Sequence, residues 1–273
     1  MRTIAHLSDL HFGAEDPVVA EALLEELDGR AAPVPSLVAI SGDLTQRARE
    51  PEFLACRAWL DRLPGPYLVV PGNHDVPLFD VVSRFLHPLQ RYQQLITPDL
   101  MPRHVDDELS VIGVNTAHSF TVKDGRITHE ETAAVAAWLA AQGDRYKILV
   151  AHHPFVVPPG VKHADRVDGA EAAVPVLEDA GLELILSGHL HVAYLGDTAM
   201  FRSQDRAIVA VHAGTCMSTR RRGEPNGYNR LSIDGDELRV LHRVWNGGFR
   251  FVDGAAKLYR RESGHWRKLA EAA

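Results

Sequence analysis

Cysteines, long apolar runs and a secretion signal are scarce or absent in this sequence. Its only two cysteines, Cys56 and Cys216, form no disulfide framework and no Cys-x-x-Cys motif, so a reducing compartment is expected. No window approaches 18 consecutive apolar residues, which argues against a membrane-spanning helix. The start, Met1–Asp9, lacks the apolar stretch and small-residue cleavage site of a secretory signal. We therefore expect a soluble cytoplasmic protein with no membrane partner.

An excess of positive charge is also missing, because the formal net charge is −7. Proteins that bind nucleic acid over a wide surface neutralise phosphates with Lys and Arg, so extensive nucleic-acid binding is not expected. A small phosphorylated ligand is compatible with this charge, since divalent cations can supply the missing positive charge. At 273 residues the chain needs no structural metal to fold. A bound metal is therefore expected to serve function.

Short apolar runs alternate with segments of helical period over the first 190 residues. Continuous apolar runs of this length are typical of strands covered on both faces. The predicted strands are Ile4–Leu7, Leu37–Ile40, Tyr67–Val70, Leu109–Val114, Ile148–Ala151 and Leu182–Leu186. The predicted helices are Val18–Leu27, Glu52–Leu63, Phe79–Leu95, His129–Ala141 and Ala170–Ala180. This alternation predicts an α/β fold with a largely parallel sheet.

After about Val192 the pattern changes to strands without helices between them. The expected strands are Val192–Phe201, Ala207–His212, Tyr228–Ile233 and Glu237–Trp245. We expect a single domain, residues 1–273, whose β-rich C-terminal part from about residue 192 forms a second sheet packed on the first. Either this part or the helix Phe79–Leu95 could form a lid or a subunit interface, so a homo-oligomer is left open.

Asp, Asn and His residues follow five of the predicted strands directly. They are Asp9, His11, Asp43, Asn73, His152, His189 and His191. The carboxyl ends of parallel strands are where open α/β folds place their sites. Carboxylate, amide oxygen and imidazole suit Mn, Fe, Zn or Co rather than thiolate-binding metals. Seven candidate ligands are too many for one ordinary ion, so two divalent metal ions are predicted, with one carboxylate shared between them.

A glycine stands before three of these residues, Asp43, Asn73 and His189. Glycine tolerates backbone conformations that other residues avoid. We expect these glycines to let each strand end in a sharp turn.

The motif series resembles the calcineurin-like metallophosphoesterase superfamily. The blocks that carry the resemblance are Asp9-Leu10-His11, Gly42-Asp43, Gly72-Asn73-His74-Asp75, His152-His153-Pro154 and Gly188-His189-Leu190-His191. The resemblance implies a four-layer αββα sandwich of two mixed sheets flanked by helices. It also implies that Asp9, His11 and His191 hold one metal, that Asn73, His152 and His189 hold the other, and that Asp43 bridges them.

The resemblance further implies the roles in catalysis. A metal-bridging hydroxide would attack phosphorus in line, and His74 would assist the leaving group. General acid catalysis of this kind typically contributes about 10²–10⁴-fold.

Other residues near these motifs have a functional and a structural interpretation. His152 and His153 compete for one ligand position, and the resemblance favours His152, because the family's pattern places the ligand two residues before the proline. Asp75 could orient His74 indirectly or cap the following helix. His212, which ends a late strand, is more readily a structural residue than a site residue.

The loop after residue 218 raises the same question. Arg220, Arg221 and Arg222 could clamp a phosphate, but a solvated loop triplet is the favoured interpretation. Asn226, Tyr228 and Asn229 could likewise be substrate contacts or turn residues, and they are not counted among the site residues.

The finer motifs favour a phosphodiester substrate. Leu44-Thr45-Gln46 follows Gly42-Asp43 where protein Ser/Thr phosphatases have Asp-Arg-Gly, and Asp75 stands where they have Glu. Both differences argue against a protein phosphatase. The opening His6–His11, together with the Gly-Asn-His-Asp and His-His-Pro blocks, is similar to bacterial class III cyclic-nucleotide phosphodiesterases and the related glycerophosphodiesterases. A 3',5'-cyclic nucleotide or a glycerophosphodiester is therefore the leading substrate. The alternatives are a phosphomonoesterase or nuclease on the same metal site, and an inactive interaction scaffold.

Overall fold

The computed structural model describes residues 1–30, 32–119, 124–160, 165–199, 207–262 and 265–269. Its strands are β1 (Arg2–Leu7), β2 (Leu37–Ser41), β3 (Tyr67–Val70), β4 (Arg103–Val105), β5 (Leu109–Val114), β6 (Tyr146–Ala151), β7 (Leu184–Ser187), β8 (Tyr194–Asp197), β9 (Val209–His212), β10 (Gly227–Asp234), β11 (Glu237–Trp245), β12 (Phe251–Glu262) and β13 (His265–Lys268). Its helices are α1 (Pro17–Leu27), α2 (Glu50–Leu60), α3 (Val81–Leu86), α4 (Gln90–Leu95), α5 (His129–Ala140) and α6 (Ala170–Asp179).

Two mixed sheets organise these elements. The first has the strand order β13-β12-β11-β10-β1-β2-β3, and the second has the order β4-β5-β6-β7-β9-β8. Strands β1, β2 and β3 run parallel to one another, as do β5, β6, β7 and β9. Both parallel sets end in the loops that carry the predicted site residues.

Three apolar clusters separate four layers. Between the sheets, Ile4 and Val70 of the first pack in one cluster with Ile148 and Leu186 of the second. The outer face of the first sheet packs against α1 and α2 through residues such as Leu23 and Phe53. The outer face of the second packs against α5 and α6 through residues such as Val135 and Leu177. This arrangement confirms the expected αββα sandwich.

Local capping signals place two of the helices. The Asp16 side chain accepts hydrogen bonds from Val18 N and Val19 N at the start of α1. At α5, Thr128 Oγ1 accepts from Glu131 N at 3.1 Å, and the Glu131 carboxylate accepts from Thr128 N at 2.8 Å. Each bond satisfies a donor that the first helical turn leaves unpaired.

The single helix predicted over Phe79–Leu95 is wrong, because the structure has two short helices, α3 and α4, in this segment. Pro88 lies between them. Proline has no backbone N–H and disfavours helical geometry at the residue before it. His87 accordingly ends α3 with dihedrals that are not helical, φ −147° and ψ 59°.

The expectation that the C-terminal strands form a separate second sheet is also wrong. Strands β10 to β13 extend the first sheet, and β8 and β9 join the second. The cause is the antiparallel pairing of β10 with the first strand, in which Arg2 lies opposite Ile233. Of the predicted strand Val192–Phe201, residues 200 and 201 lie outside the described residues.

No helix in the described part of the chain is long and apolar enough to cross a membrane. The pairing of β1 with β10 is in keeping with a single domain, which stays a prediction.

Candidate metal centre

The loops after five strands bring all seven predicted ligands to one edge of the molecule. The loop after β1 carries Asp9 and His11, and the loops after β2 and β3 carry Asp43 and Asn73. From the second sheet, β6 leads into His152, and β7 leads into His189 and His191. Carboxylate and imidazole atoms form two compact groups, Asp9, His11, Asp43 and His191, and His152, His153 and His189.

Five of the seven residues have left-handed backbone conformations. The φ angles are 54° at Asp9, 48° at His11, 54° at Asp43, 71° at His189 and 58° at His191. Among the described residues only one other non-glycine residue, Ala48, has a positive φ. Such conformations cost about 1–3 kcal/mol each and cluster at functional sites. The fold thus maintains strain where the side chains converge.

The glycines before the ligands allow close packing of the loops more than sharp turns. Gly42 does have a positive φ, 88°, but Gly72 has an extended φ of −110°. A Cβ at Gly72 would lie 2.2 Å from Asp43 Oδ1, and a Cβ at Gly188 would lie 2.7 Å from Asp9 Oδ2. The expected turn therefore holds at Gly42, whereas Gly72 and Gly188 are needed for space.

The first group surrounds Asp9 Oδ1. His11 Nε2 lies 3.6 Å from this oxygen, and His191 Nε2 lies 3.4 Å from it. Donor atoms that share a metal at about 2.0–2.2 Å stand roughly 3.0–3.6 Å apart. Asp9 Oδ1 and His11 Nε2 are buried and have no hydrogen-bond partner among the described residues. Buried polar atoms of this kind need a partner, and a divalent cation fits this donor set.

The second group surrounds Asn73 Oδ1. This amide oxygen lies 3.1 Å from His152 Nε2 and 3.0 Å from His189 Nδ1. His152 Nε2 also lies 3.3 Å from Asp43 Oδ1. His153 lies nearby, with its ring centroid 4.6 Å from that of His189, and its Nδ1 contacts Thr116 Oγ1 at 2.8 Å. Between the two adjacent histidines, His152 is therefore the one in contact with Asn73 and Asp43.

Asp43 lies between the two groups and presents one oxygen to each. Its Oδ2 is 3.6 Å from His11 Nε2, and its Oδ1 is 3.3 Å from His152 Nε2. Oδ1 also accepts a hydrogen bond from His74 N at 2.9 Å. The side chain is 1% exposed, so solvent does little to screen its charge.

The charges at the centre stabilise one another. Burial opposes ionisation of Asp43, but the His152 ring beside it holds the pKa of the carboxyl well below its usual value. Burial likewise opposes protonation of His152, but Asp43 prevails and raises the pKa of the ring to about 9. For His189, burial and the neighbouring His152 lower the pKa to about 3. The centre is thus built around ionised carboxylates that attract a cation.

Hydrogen bonds from behind fix the orientation of three histidine rings. His152 Nδ1 donates to Ser41 O at 2.7 Å, and His11 Nδ1 donates to Thr45 O at 3.2 Å. His191 Nδ1 lies 2.6 Å from Thr215 Oγ1. Each bond leaves Nε2 directed at the centre, an arrangement common to metal-binding histidines. The motif pattern contained no signal for these outer partners, because two of them are backbone carbonyls.

His74 lies at the rim of the centre and contacts Arg220. Its Nδ1 donates to Gln46 O at 2.8 Å, and Arg220 Nη1 lies 2.8 Å from its Nε2. Burial, together with His11 and Arg220, lowers the pKa of His74, although Asp43 opposes that shift. A cavity of about 240 Å³ opens here, lined by Gln46, Arg47, Asn73, His74, Val76, Leu78, Phe79 and Arg220.

The structure divides the arginine triplet. Arg221 and Arg222 are exposed, as expected, whereas Arg220 is half-buried against His74. The favoured interpretation as a solvated triplet is therefore wrong for Arg220. No motif marks this residue, because its contact joins positions 146 apart in the chain.

Asp75 does not cap the following helix, and it is linked to His74 indirectly, because Thr45 Oγ1 lies 2.9 Å from Asp75 Oδ1 and 3.1 Å from His74 O. Its carboxylate accepts hydrogen bonds from Leu44 N, Thr45 N and Gly72 N at 2.8–3.1 Å. The N-cap of α3 is Asp80 instead. Asp75 thus ties the loop after β2 to the loop after β3, and burial together with Asp43 raises its pKa to about 6.

The remaining candidates make structural contacts, and Tyr228 and Asn229 lie in β10 and not in a turn. The His212 ring is buried against Tyr194, with 5.4 Å between the ring centroids. Asn226 donates to Ser218 O at 2.8 Å, Tyr228 donates to the Glu26 carboxylate at 3.1 Å, and Asn229 donates to His212 O at 2.8 Å.

Comparison with known proteins gives matches at the level of sequence family and of fold. The sequence model of the family described as calcineurin-like phosphoesterase matches residues 2–193. This range contains all seven candidate ligands and His74, but not Arg220.

Two curated relatives have names that specify a reaction. A probable cyclic nucleotide phosphodiesterase of Synechococcus sp. is 24% identical over 274 residues, covering 92% of this chain and 95% of the relative. The glycerophosphodiester phosphodiesterase GpdQ of Enterobacter lignolyticus is 28% identical over 201 residues, covering 69% and 70%. Among solved structures, GAP50, described as the anchor in the inner membrane complex of Plasmodium, has a TM-score of 0.59 at 12% identity. The match covers 97% of this chain and 90% of that one. At this identity the last similarity shows the fold alone.

Proposed function

The chain belongs to the calcineurin-like phosphoesterase family, and from that membership we propose that it hydrolyses a small phosphodiester with two divalent metal ions. The observation that supports this most is the position of Asp43, whose two oxygens face separate groups of ligand atoms. A carboxylate placed in this way is suited to bridging two cations.

The proposed ligands divide between the two ions. Asp9, His11 and His191 hold one, Asn73, His152 and His189 hold the other, and Asp43 serves both. When bound, the ions supply Lewis acidity to the phosphoryl group and a nucleophile at neutral pH. Oxygen and imidazole donors suit Mn, Fe, Zn or Co.

In this proposal Arg220 binds the charged phosphate oxygens, and His74 donates a proton to the leaving oxygen. Because Nδ1 of His74 donates to Gln46 O, only Nε2 is available to the substrate. Without substrate, Nε2 accepts from Arg220. A phosphodiester anion that draws the guanidinium to its own oxygens frees Nε2, and its negative charge favours a proton there. His74 then donates this proton to the departing alcohol.

The names of the two relatives support a phosphodiester, and a 3',5'-cyclic nucleotide or a glycerophosphodiester remains the leading substrate. The cavity beside His74 provides space for a second ester group, which favours a diester over a monoester. The absence of extensive nucleic-acid binding stays a prediction from the net charge of −7. Homo-oligomer formation also stays an untested prediction.

The test compares hydrolysis of bis(p-nitrophenyl) phosphate and p-nitrophenyl phosphate by chelator-treated protein with Mn²⁺ added back. We expect activity only with metal, and a higher kcat/KM for the diester. Preference for the monoester would leave the proposed metal site standing but would contradict the proposal that the substrate is a diester. Metal binding without hydrolysis of either compound would favour the scaffold alternative.

A further inference from the structure

An exposed apolar surface adjoins the catalytic cavity. Five large apolar side chains between residues 78 and 86 are 44–71% exposed, and we call them the apolar rim: Leu78, Phe79, Val82, Phe85 and Leu86. In the rest of the described chain the exposed large apolar side chains are scattered singly. Scattered residues need no explanation, whereas a contiguous apolar surface marks an interaction site.

Helix α3 carries three of the five rim residues. Unlike an ordinary surface helix, it buries its arginine and exposes its apolar side chains. Its arginine, Arg84, is 5% exposed and donates to Ser119 O and Pro77 O, both at 2.9 Å. Val82, Phe85 and Leu86 have the i, i+3, i+4 spacing of one helix face, and that face is turned to solvent. Burying a charge while exposing large apolar groups reverses the usual partition. The bonds of Arg84 hold the helix in this orientation.

The rim is continuous with the cavity beside His74. Leu78 and Phe79 line that cavity together with Asn73, His74 and Arg220. Arg47 stands over the Phe79 ring, 5.4 Å from its centroid. The cavity thus has a polar end at His74 and Arg220 and an apolar end that runs onto α3.

We propose that the substrate is a phosphodiester in which one alcohol group is, or carries, a long alkyl or acyl chain, and that the apolar rim binds this chain. The inference rests on the proposed function and specifies its substrate class. The phosphate is directed to His74 and Arg220, and the chain leaves the cavity past Phe79 and lies along α3. Binding of this kind scales with the apolar area removed from water.

A series of p-nitrophenyl alkyl phosphates, from methyl to octyl, tests the proposal. Water adds to phosphorus, the bond to the nitrophenyl oxygen breaks, and the products are the alkyl phosphate and p-nitrophenol. The leaving group is constant, so only the alkyl contact varies. Below micelle-forming concentrations, we expect kcat/KM to rise about twofold per methylene, the value for a half-buried chain. A flat series overturns the proposal.

Variants locate the effect on the rim. Phe79→Ser and the double variant Val82→Ser/Leu86→Ser should bring the octyl-to-methyl ratio of kcat/KM close to one. The matched control is Phe249→Ser, which removes a side chain that is 91% exposed and lies outside the rim. The control should keep both the methyl rate and the octyl-to-methyl ratio. Equal ratios in the rim variants and the wild type would overturn the proposal.

Two further results separate this inference from other outcomes. A flat series with metal-dependent hydrolysis of bis(p-nitrophenyl) phosphate overturns the rim inference and leaves the proposed function standing. Loss of hydrolysis of every diester overturns both. A dimer in light scattering that Val82→Ser/Leu86→Ser converts to a monomer, together with a flat series, would identify the rim as a subunit interface instead.

Discussion

Single residues at the centre combine a strained backbone with side-chain atoms, such as Asp9 Oδ1, that have no hydrogen-bond partner among the described residues. Asp9 shows how this is achieved, since its φ is 54° and its Oδ2 accepts a hydrogen bond from His189 N at 3.1 Å. Its Oδ1 is left directed at His11 and His191. One oxygen of the carboxylate therefore holds a neighbouring loop while the other is available to a cation.

Replacing Asp43 should affect both metals at once. Asp43→Asn keeps the shape of the side chain but removes the charge that the two groups share, so we expect metal content below two ions per chain. Hydrolysis should fall about 10²-fold or more, because the ions act together. Elemental analysis of the purified variant, beside Mn²⁺-dependent hydrolysis of bis(p-nitrophenyl) phosphate, checks this. A fully active variant with two ions would refute the bridging role.

His74→Ala is the matched control for that variant. The imidazole is directed at Gln46 and Arg220, so its loss should leave metal content unchanged and lower kcat by about 10²–10⁴. If metal content fell as in Asp43→Asn, His74 would be a ligand and its proposed role would be wrong.

His212 should make the protein less stable in acid. Burial lowers the pKa of its ring to about 4 from an ordinary 6.5. Below pH 6.5 the His212 ring is protonated in the unfolded chain but stays neutral in the folded chain. The free energy of unfolding therefore falls as pH decreases toward 4, and this ring has little effect on it above pH 6.5. Between pH 7 and 4.5 this amounts to about 2–3 kcal/mol. Urea unfolding of wild type and His212→Gln at both pH values should show the smaller loss in the variant. Equal losses would contradict the prediction.

At the scale of elements, buried hydrogen bonds and an ion pair connect helix α1 to strands β10 and β11. Glu26 of α1 is 4% exposed and accepts from Arg243 of β11 at 2.7 and 2.9 Å and from Tyr228 of β10 at 3.1 Å. These bonds join the N-terminal helix to the C-terminal strands, which lie in the same sheet as β1.

Removing Glu26 should therefore weaken the whole first sheet. Glu26→Ala leaves the partly buried Arg243 with Asp253 and Phe251 O as remaining partners and removes the acceptor of the buried Tyr228 hydroxyl, so we expect the free energy of unfolding to fall by about 1–3 kcal/mol. Glu21→Ala, also on α1, is the control, since it breaks only the exposed ion pair of Glu21 with Arg62 and should leave stability within experimental error. Chemical denaturation of the three proteins tests this, and equal effects of the two substitutions would contradict it.

For the whole molecule, three apolar clusters hold the four layers together independently of the metal centre. Chelation with EDTA should therefore leave the far-ultraviolet circular dichroism unchanged. It should lower Tm by a few degrees, because ligands bound to the native state add stability by mass action. Added Mn²⁺ should restore Tm. Unfolding on chelation would show that the metals are structural.

Much of the fold and of the candidate centre follows from local sequence. Runs such as Leu37–Ile40 and Ile148–Ala151 are apolar on both faces, which specifies buried strands. Polar residues such as Asp43 and His152 stand directly after those runs, and the carboxyl ends of parallel strands meet at one edge. Both signals lie within a few residues, so a single sequence displays them.

Tertiary structure decided what depends on distant contacts. Three features each depend on contact between segments far apart in the chain. They are the pairing of β10 with β1, the contact of Arg220 with His74, and the contact with Asp43 that separates His152 from His153. The exposed face of α3 belongs here too, since the bonds of Arg84 and the break at Pro88 set its orientation. Strand order and side-chain partners depend on which surfaces pack together, and the sequence encodes these only through the fold as a whole. The sequence by itself thus determined the residue types of the candidate centre and the layers that carry it, whereas the packing of the folded chain decided which residues surround the cavity beside His74.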